Sequence, residues 1–295
     1  MGLCRNGWVL DSAVVLLERL GIATPVVQAG MGGGISRREL AAAVSEAGGL
    51  GTIAVNGAEA IAEELAGARA LTGRPLAVNL LLPFAQDAWF EAAAPADVVV
   101  TFWGKPRRRT AGVWMHQCGS VEEAREAHAA GADAVIVQGV EAGGHVRGTT
   151  PGLDLLARVR TATPAGFPTL LAGGIATRAD VQAALDAGAV AAVAGTRFLL
   201  SNESRAHPEY QRRVMAAETT VLTEVFGLGW PAPHRVVRNA ATERWRAGDA
   251  LLAPLPVTDD MTAALVDAGP LYAGESAARI DDVRPAAELV AALTP

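Results

Sequence analysis

The chain of 295 residues has only two cysteines and a single lysine, and it contains no long apolar run. Cys4 and Cys118 cannot form a disulfide framework, and neither stands in a CxxC or metal-ligand spacing. No apolar run reaches the roughly 18 residues that span a bilayer, and the N-terminus lacks a charged-then-apolar signal pattern. We therefore expect a cytoplasmic protein with no metal site and no membrane segment.

Charge is scarce as well, which limits the partners. Charged residues make up 19% of the sequence, and the formal net charge is -6. Because nucleic-acid binding needs a basic face, no nucleic-acid partner is expected, and we interpret the basic cluster at residues 105–109 as a solvated loop. The hydrophobic fraction of 51% indicates a well-filled interior. We expect one domain over residues 1–295, with a homodimer left open.

Short apolar runs alternate along the chain with Ala-rich segments of helical spacing. Ser120 and Thr177 each precede such a segment as N-caps, with an acidic residue three positions later. Alternating strands and helices imply parallel pairing, and eight such units close a (β/α)₈ TIM barrel, an α/β fold. An open doubly wound sheet is the alternative, although no convincing GxGxxG motif opens the first helix. The predicted strands are residues 25–28, 50–54, 76–80, 97–101, 113–116, 134–138, 169–172 and 190–194.

The barrel is predicted to occupy about residues 22–200 and to lack one regular connection. Too few residues separate Thr101 from Val113 for a full crossover helix. The fourth outer helix is therefore predicted to be shortened or missing, with Arg107 to Arg109 forming one exposed turn. A polar helix is expected over about residues 203–218, within a C-terminal extension (201–295) that is otherwise irregular and rich in Trp, Pro and Gly.

The sixth predicted strand runs into a glycine-rich loop that ends on a histidine. Gly143 and Gly144 allow the backbone to approach a ligand closely, and His145 follows them. An imidazole with a pKa near 6.5 can exchange a proton at neutral pH. Because barrels place their chemistry in such loops, His145 is a candidate catalytic residue; an ordinary turn with a solvent-facing histidine is the alternative.

Two more glycine turns follow the last two predicted strands. Gly173-Gly174 comes after the seventh strand and Gly195-Thr196 after the eighth. Barrels bind phosphate in these loops through backbone N–H groups, and a Cβ would hold the phosphate oxygens away from those donors. The two turns together predict a phosphorylated ligand, with two plain βα turns as the alternative.

The loop after the first strand predicts a flat binding surface. Gly30 and Gly32 flank Met31, whose polarizable thioether suits contact with a planar ring. The loop is expected to end on Ser36 as a helix cap. Asn79 and Gln138 end the third and sixth strands as amides, which offer a donor and an acceptor to the edge of an isoalloxazine ring. These features indicate a flavin.

The chain resembles the nitronate monooxygenase family, formerly the 2-nitropropane dioxygenases, which are FMN-dependent TIM-barrel flavoproteins. The EAGGH block is the specific part of the resemblance, and the barrel repeats are generic. The sequence departs from the family pattern at Gly30, where a proline is usual, and at Arg147, which is displaced by one inserted residue. The matching segments are QAGMGGGIS, AAAVSEAGGLGTI, AVNLLLP, GSVEEAREAHAAGADAVIVQGVEAGGHVRG, LLAGGIATRADVQAALDAGA and AGTRFLLSNESRAHPEY.

The resemblance implies oxidation of alkyl nitronates, and of nitroalkanes where His145 removes the α-proton, by O₂ through a flavin semiquinone. The products would be a carbonyl compound and nitrite. His145 would be the catalytic base, and the segment from Tyr272 to Ser276 would return toward the flavin. FMN would be held by Asn79, Gln138, Gly143, Gly174, Gly195 and Thr196.

Two residues are predicted to contact the substrate, and three rival functions stay open. His116, at the end of the fifth strand, and Met31 are the substrate candidates. One rival is an NAD(P)H-dependent flavin reductase of the same superfamily, of the enoyl-acyl-carrier or quinone type. The second is a phosphate-binding barrel without flavin, which would need paired carboxylates or a lysine at the strand ends, whereas Lys105 lies in the basic loop. The third is a non-catalytic flavin- or ligand-binding protein that serves as a partner subunit.

Overall fold

Eight parallel strands form a closed ring in the computed structural model, which describes residues 15–107 and 109–295. Cys4 and Arg108 lie outside the described residues. The described residues form eleven strands, of which all but β7, β10 and β11 belong to the ring. They are β1 (Val26–Gln28), β2 (Gly51–Ile53), β3 (Leu76–Leu81), β4 (Val98–Phe102), β5 (Val113–Cys118), β6 (Ala134–Gln138), β7 (Gly144–His145), β8 (Thr169–Ala172), β9 (Ala191–Ala194), β10 (Thr220–Thr223) and β11 (His234–Val237). The ring order is β1-β9-β8-β6-β5-β4-β3-β2, and a parallel bridge between Val27 and Leu50 closes it. The predicted TIM barrel is confirmed.

The strands are apolar on both faces because the sheet is covered inside and outside. Ala77, Met115 and Ile136 belong to one buried cluster that fills the barrel. Since side chains two positions apart share a face, the residues that follow them by two on β3, β5 and β6 also point inward. Three amides, Asn79, Gln117 and Gln138, therefore reach the mouth of the barrel.

Ten α-helices accompany the strands in the described part of the chain. They are α1 (Arg38–Glu46), α2 (Ala58–Leu71), α3 (Asp87–Ala93), α4 (Val121–Ala129), α5 (Gly152–Ala162), α6 (Arg178–Asp186), α7 (Thr196–Leu199), α8 (Pro208–Met215), α9 (Ala240–Arg244) and α10 (Ala286–Leu293). Residues 15–20 are also helical, and 3₁₀ turns lie at Ala263–Asp267 and Glu275–Arg279. Helix α7 is short, and α10 packs against both α1 and α6. The C-terminal helix thus completes the outer ring beside β9.

Two of the three predicted helix caps are confirmed. The Ser120 hydroxyl accepts the N–H at the third position of α4, and Thr177 forms a full capping box at α6. The expectation for Ser36 is wrong, because its hydroxyl bonds the backbone N–H of Met31 at 2.9 Å. Helix α1 begins two residues later, and its first backbone N–H donates to the buried Glu64 carboxylate at 2.9 Å.

The fourth crossover has no helix among its described residues, as the short spacing predicted, and no turn is assigned to Arg107 or Arg109. The prediction for the extension is wrong in part. The polar helix predicted over residues 203–218 is observed only over α8 (Pro208–Met215). It begins there because Pro208 fixes its start and the His207 imidazole accepts the N–H of Glu209 at 3.0 Å.

The rest of the extension is more regular than its composition suggested. Strands β10, β11 and β7 form a small antiparallel sheet. This sheet joins the extension to the loop that carries His145. Within the described residues, no helix combines the length and the apolar character needed to cross a membrane.

Candidate functional site

A cavity of about 790 Å³ lies at the carboxyl ends of the barrel strands. This volume falls within the roughly 300–1,000 Å³ that is usual for small-molecule and cofactor sites. Every predicted site residue except His116 lines it. These residues are Gly30, Met31, Gly32, Asn79, Gln138, Gly143, Gly144, His145, Gly173, Gly174, Gly195 and Thr196.

The turns after β8 and β9 form one side of the cavity as a backbone cradle. Gly173 and Gly174 have φ of +107° and +74°, a conformation that side chains rarely adopt. Among the described residues, no hydrogen-bond acceptor is found for the N–H groups of Gly174, Gly195 and Thr196. Free N–H groups in a cavity suit an anion, so the cradle fits a phosphate group.

The loop after β1 lies directly against the side chain of Asn79 on β3. A Cβ on Gly30 would stand 2.5 Å from the Cβ of Asn79, so glycine is required for this contact. Ser36 fixes the loop through both backbone groups of Met31. The cavity thus has a rigid backbone surface with one amide beside it, which fits the flat ring system expected from the sequence.

The sequence predicts that the Gln138 amide offers its donor and its acceptor to a ligand, but the structure uses both groups within the protein. Its Nε2 donates to the backbone oxygen of His145 at 2.9 Å, and its Oε1 accepts the N–H of Arg147 at 3.0 Å. The side chain lines the cavity but chiefly holds the loop that carries the histidine.

The segment from Tyr272 to Ser276 comes back to the cavity, as the resemblance predicted. The backbone N–H of Gly274 donates to the Thr196 hydroxyl at 2.9 Å. A Cβ on Gly143 would collide with the backbone N of Gly274. Glycine at 143 is therefore required by packing against this segment, in addition to any role toward a ligand.

His145 lies among aromatic rings that cover part of it. The Trp230 indole is stacked on the imidazole, with ring centroids 3.7 Å apart and an angle of 16°. The rings of His234 and Tyr272 lie 5.3 and 5.8 Å away. No described residue bonds the buried Nε2 atom. Burial, and then the nearby His234, lower the pKa of His145 to about 3, so the imidazole is neutral at physiological pH.

His116 does not line the cavity, and the prediction that it contacts substrate is wrong. It points outward from β5, is 1% exposed and bonds the Thr101 hydroxyl at 2.8 Å through Nδ1. Its neighbour Gln117 faces the cavity instead. A one-residue error in strand phase exchanges the two faces. Cys118 also points outward and is fully buried.

Several cavity residues escaped the sequence-based prediction. Gln117 would have been found if the strand phase of β5 had been predicted correctly, whereas Trp230 comes from the distant extension. Glu141 supplies the one charged side chain among the described residues that line the cavity, and its carboxylate accepts the N–H of Gly152 at 3.1 Å. The described residues contain no group of three or more side chains placed to hold a metal ion.

Comparison with known proteins gives one family. The profile described as "Nitronate monooxygenase" matches residues 14–98 and 90–295. A nitronate monooxygenase of Pseudomonas aeruginosa is 32% identical, over 93% of this chain and 96% of that protein. A (3aS,4S,5R,7aS)-5-hydroxy-7a-methyl-1-oxo-octahydro-1H-indene-4-carboxyl-CoA dehydrogenase of Mycobacterium tuberculosis is 35% identical, over 79% of this chain and 68% of that protein.

Solved structures agree over nearly the whole chain. A nitroalkane oxidase from Streptomyces ansochromogenes superimposes with a TM-score of 0.81 at 32% identity, covering 95% of this chain and 96% of that one. FabK from Thermotoga maritima gives a TM-score of 0.79 at 28% identity, covering 95% and 94%.

Proposed function

The chain belongs to the nitronate monooxygenase family, and on that premise we propose that it oxidises alkyl nitronates with O₂ to a carbonyl compound and nitrite, using FMN. The observation that carries the proposal is the neutral His145 imidazole in a glycine-lined cavity.

The residues that would hold FMN lie on three sides of the cavity. The free N–H groups of Gly174, Gly195 and Thr196 would bind its phosphate. The rigid loop at Gly30 and the Asn79 amide would lie against its ring. When bound, FMN would supply an electron acceptor for the α-carbon of the nitronate and an electron donor to O₂.

His145 acts as a base rather than as a cation. Because its pKa is lowered to about 3, the imidazole is uncharged and can take the α-proton of a neutral nitroalkane. The same low pKa gives little driving force for this transfer. A nitronate has already lost that proton, so we expect the nitronate to be the better substrate. Trp230 and Tyr272 cover part of the imidazole.

The test is the visible flavin spectrum of the purified protein under anaerobic conditions. Addition of a nitronate alone should bleach the flavin or give a radical band, and oxygen should then restore the spectrum with release of nitrite. Loss of response in His145→Asn with a neutral nitroalkane, but not with a preformed nitronate, would support the base assignment. Full activity of that variant on neutral nitroalkanes would contradict it.

The second candidate is an NAD(P)H-dependent flavin reductase, which the likeness to FabK favours. It predicts rapid anaerobic bleaching by NADH or NADPH and none by a nitronate. The two substrates in separate cuvettes therefore distinguish the two functions in one experiment.

A further inference from the structure

The two halves of the cavity differ in character because they come from opposite sides of the barrel. In the ring order, β4 lies across from β9 and β3 across from β8. The glycine cradle follows β8 and β9. The chain after β3 and at the end of β4 instead brings Phe84 and Phe102 to the cavity. This side of the cavity therefore carries aromatic rings, beside the amides of Asn56, Asn79, Gln86 and Gln117.

Three aromatic rings line this side of the cavity, Phe84, Phe102 and Trp230, and Trp103 packs against the last two without lining the cavity itself. We call these four rings the aromatic wall. The centroid of Trp230 lies 5.5 Å from that of Phe84 and 5.1 Å from that of Trp103, both edge-on. Trp103 and Phe102 make a third edge-on contact at 5.5 Å. Edge-to-face pairs at these distances are favourable and rigid.

Trp230 joins the wall to His145, on which it stacks. An apolar group lying on the wall would consequently place the carbon next to it beside the imidazole. The neutral His145 and the Gln117 amide can donate hydrogen bonds to the nitronate oxygens. A second, anionic end of the substrate would find no cationic partner among the described lining residues, because their one charged side chain is the Glu141 carboxylate.

From this arrangement we propose that the aromatic wall selects nitronates whose α-substituent is a bulky or flat apolar group, and that it rejects nitronates with a second, charged end. The proposal rests on the proposed function for the identity of the reacting group. Burying a carboxylate against the wall would remove its hydration without supplying a cation, whereas a phenyl group would gain apolar contact.

The experiment compares kcat/KM for four nitronates on the flavin-loaded enzyme. They are formed from nitroethane, 2-phenyl-1-nitroethane, 3-methyl-1-nitrobutane and 3-nitropropanoate; the last two differ by an isopropyl group in place of a carboxylate. We expect the phenyl compound to exceed nitroethane, and the isopropyl compound to exceed its carboxylate counterpart, each by at least about tenfold. Equal values, or the reverse order, would overturn the proposal.

Variants of Trp230 connect the preference to the wall. Trp230→Ala should reduce the phenyl preference to within about threefold, and Trp230→Phe should restore most of it. The matched control is Trp245→Phe, whose ring packs with Val225 and Phe226 and does not line the cavity; it should keep the wild-type preference. Retention of the full preference in Trp230→Ala would contradict the assignment.

A binding measurement separates failure of the wall from failure of the proposed function. Calorimetry with 3-phenylpropanoate and propanoate, planar-ended anions that cannot react, should show tighter binding of the phenyl compound, and Trp230→Ala should remove the difference. If no nitronate is turned over but this difference is found, the proposed oxidation fails and the wall stands. If nitronates are turned over but the difference is absent, the wall fails alone.

Discussion

The pH dependence of neutral nitroalkane oxidation tests the environment of His145 most directly. An ordinary imidazole with pKa 6.5 is only about 3% neutral at pH 5, so a base of that kind would lose about thirtyfold in rate between pH 8 and pH 5. Burial lowers the pKa of His145 to about 3, with a smaller contribution from His234. At pH 5 about 99% of His145 is then still neutral.

We therefore expect the rate of flavin reduction by a neutral nitroalkane to stay level from pH 8 to pH 5 and to fall only near pH 3 to 4. Anaerobic stopped-flow mixing with nitroethane freshly diluted from acid measures this step before nitronate forms in solution. His145→Asn should lower the rate by about 10²–10⁴-fold at every pH. The control His128→Asn, on the outer helix α4 against Phe167, should change nothing.

An acid limb with a midpoint near 6.5 in the wild type, absent from His145→Asn, would show that water reaches the imidazole in the working enzyme. The argument from burial beneath Trp230 would then be wrong.

Three further predictions concern stability. Gly30→Ala should lower the free energy of unfolding by about 1–3 kcal/mol, because the new methyl group would collide with Asn79. The control Gly32→Ala should leave it unchanged, because its methyl group would meet nothing within 4 Å. Urea titration without cofactor measures both. Thr196→Val should cost about 1–3 kcal/mol by orphaning a backbone N–H, with Thr196→Ser as the tolerated control, and wild-type stability in the valine variant would contradict this. Burial lowers the pKa of His116 to about 4, so the unfolded chain binds more protons between about pH 4 and 6.5. His116 alone should contribute a rise in stability of about 3 kcal/mol across that range, and a thermal-midpoint series should show a slope smaller by this amount in His116→Phe.

The barrel could be predicted from the sequence because its evidence is local. Fully buried parallel strands are short apolar runs, and the observed β6 and β8 have the predicted bounds. The loops that directly follow the strands were found for the same reason. Strand phase is a weaker signal in a sheet that is apolar on both faces, which is why His116 was placed on the wrong side.

The extension shows what local evidence leaves out. β7 is only two residues long and exists because β11, far along the chain, pairs with it. Trp230 reaches His145 through that pairing, and α10 finds its place between α1 and α6 by packing. Such contacts depend on tertiary structure, so neither the stacking of Trp230 on His145 nor the completed helix ring could be inferred from sequence patterns.

Trp103 is the first residue after β4, at the start of the short fourth crossover, and its ring belongs to the aromatic wall. Trp103 has φ of +63°, the one positive value among the described non-glycine residues. That conformation costs about 1–2 kcal/mol, and Trp230, Phe102 and the Arg147 guanidinium, 4.8 Å from the ring, hold it in place.

Removing the Trp103 ring should separate the cost of this conformation from the gain in packing. Both Trp103→Ala and Trp103→Gly lose the ring contacts and should be less stable than the wild type. In an ordinary backbone conformation alanine is the more stabilising of the two, by about 0.4–1 kcal/mol. At a positive φ the order reverses, so Trp103→Gly should be more stable than Trp103→Ala by about 1 kcal/mol in urea unfolding. If Trp103→Ala is as stable as Trp103→Gly, or more stable, the positive φ at Trp103 carries no strain.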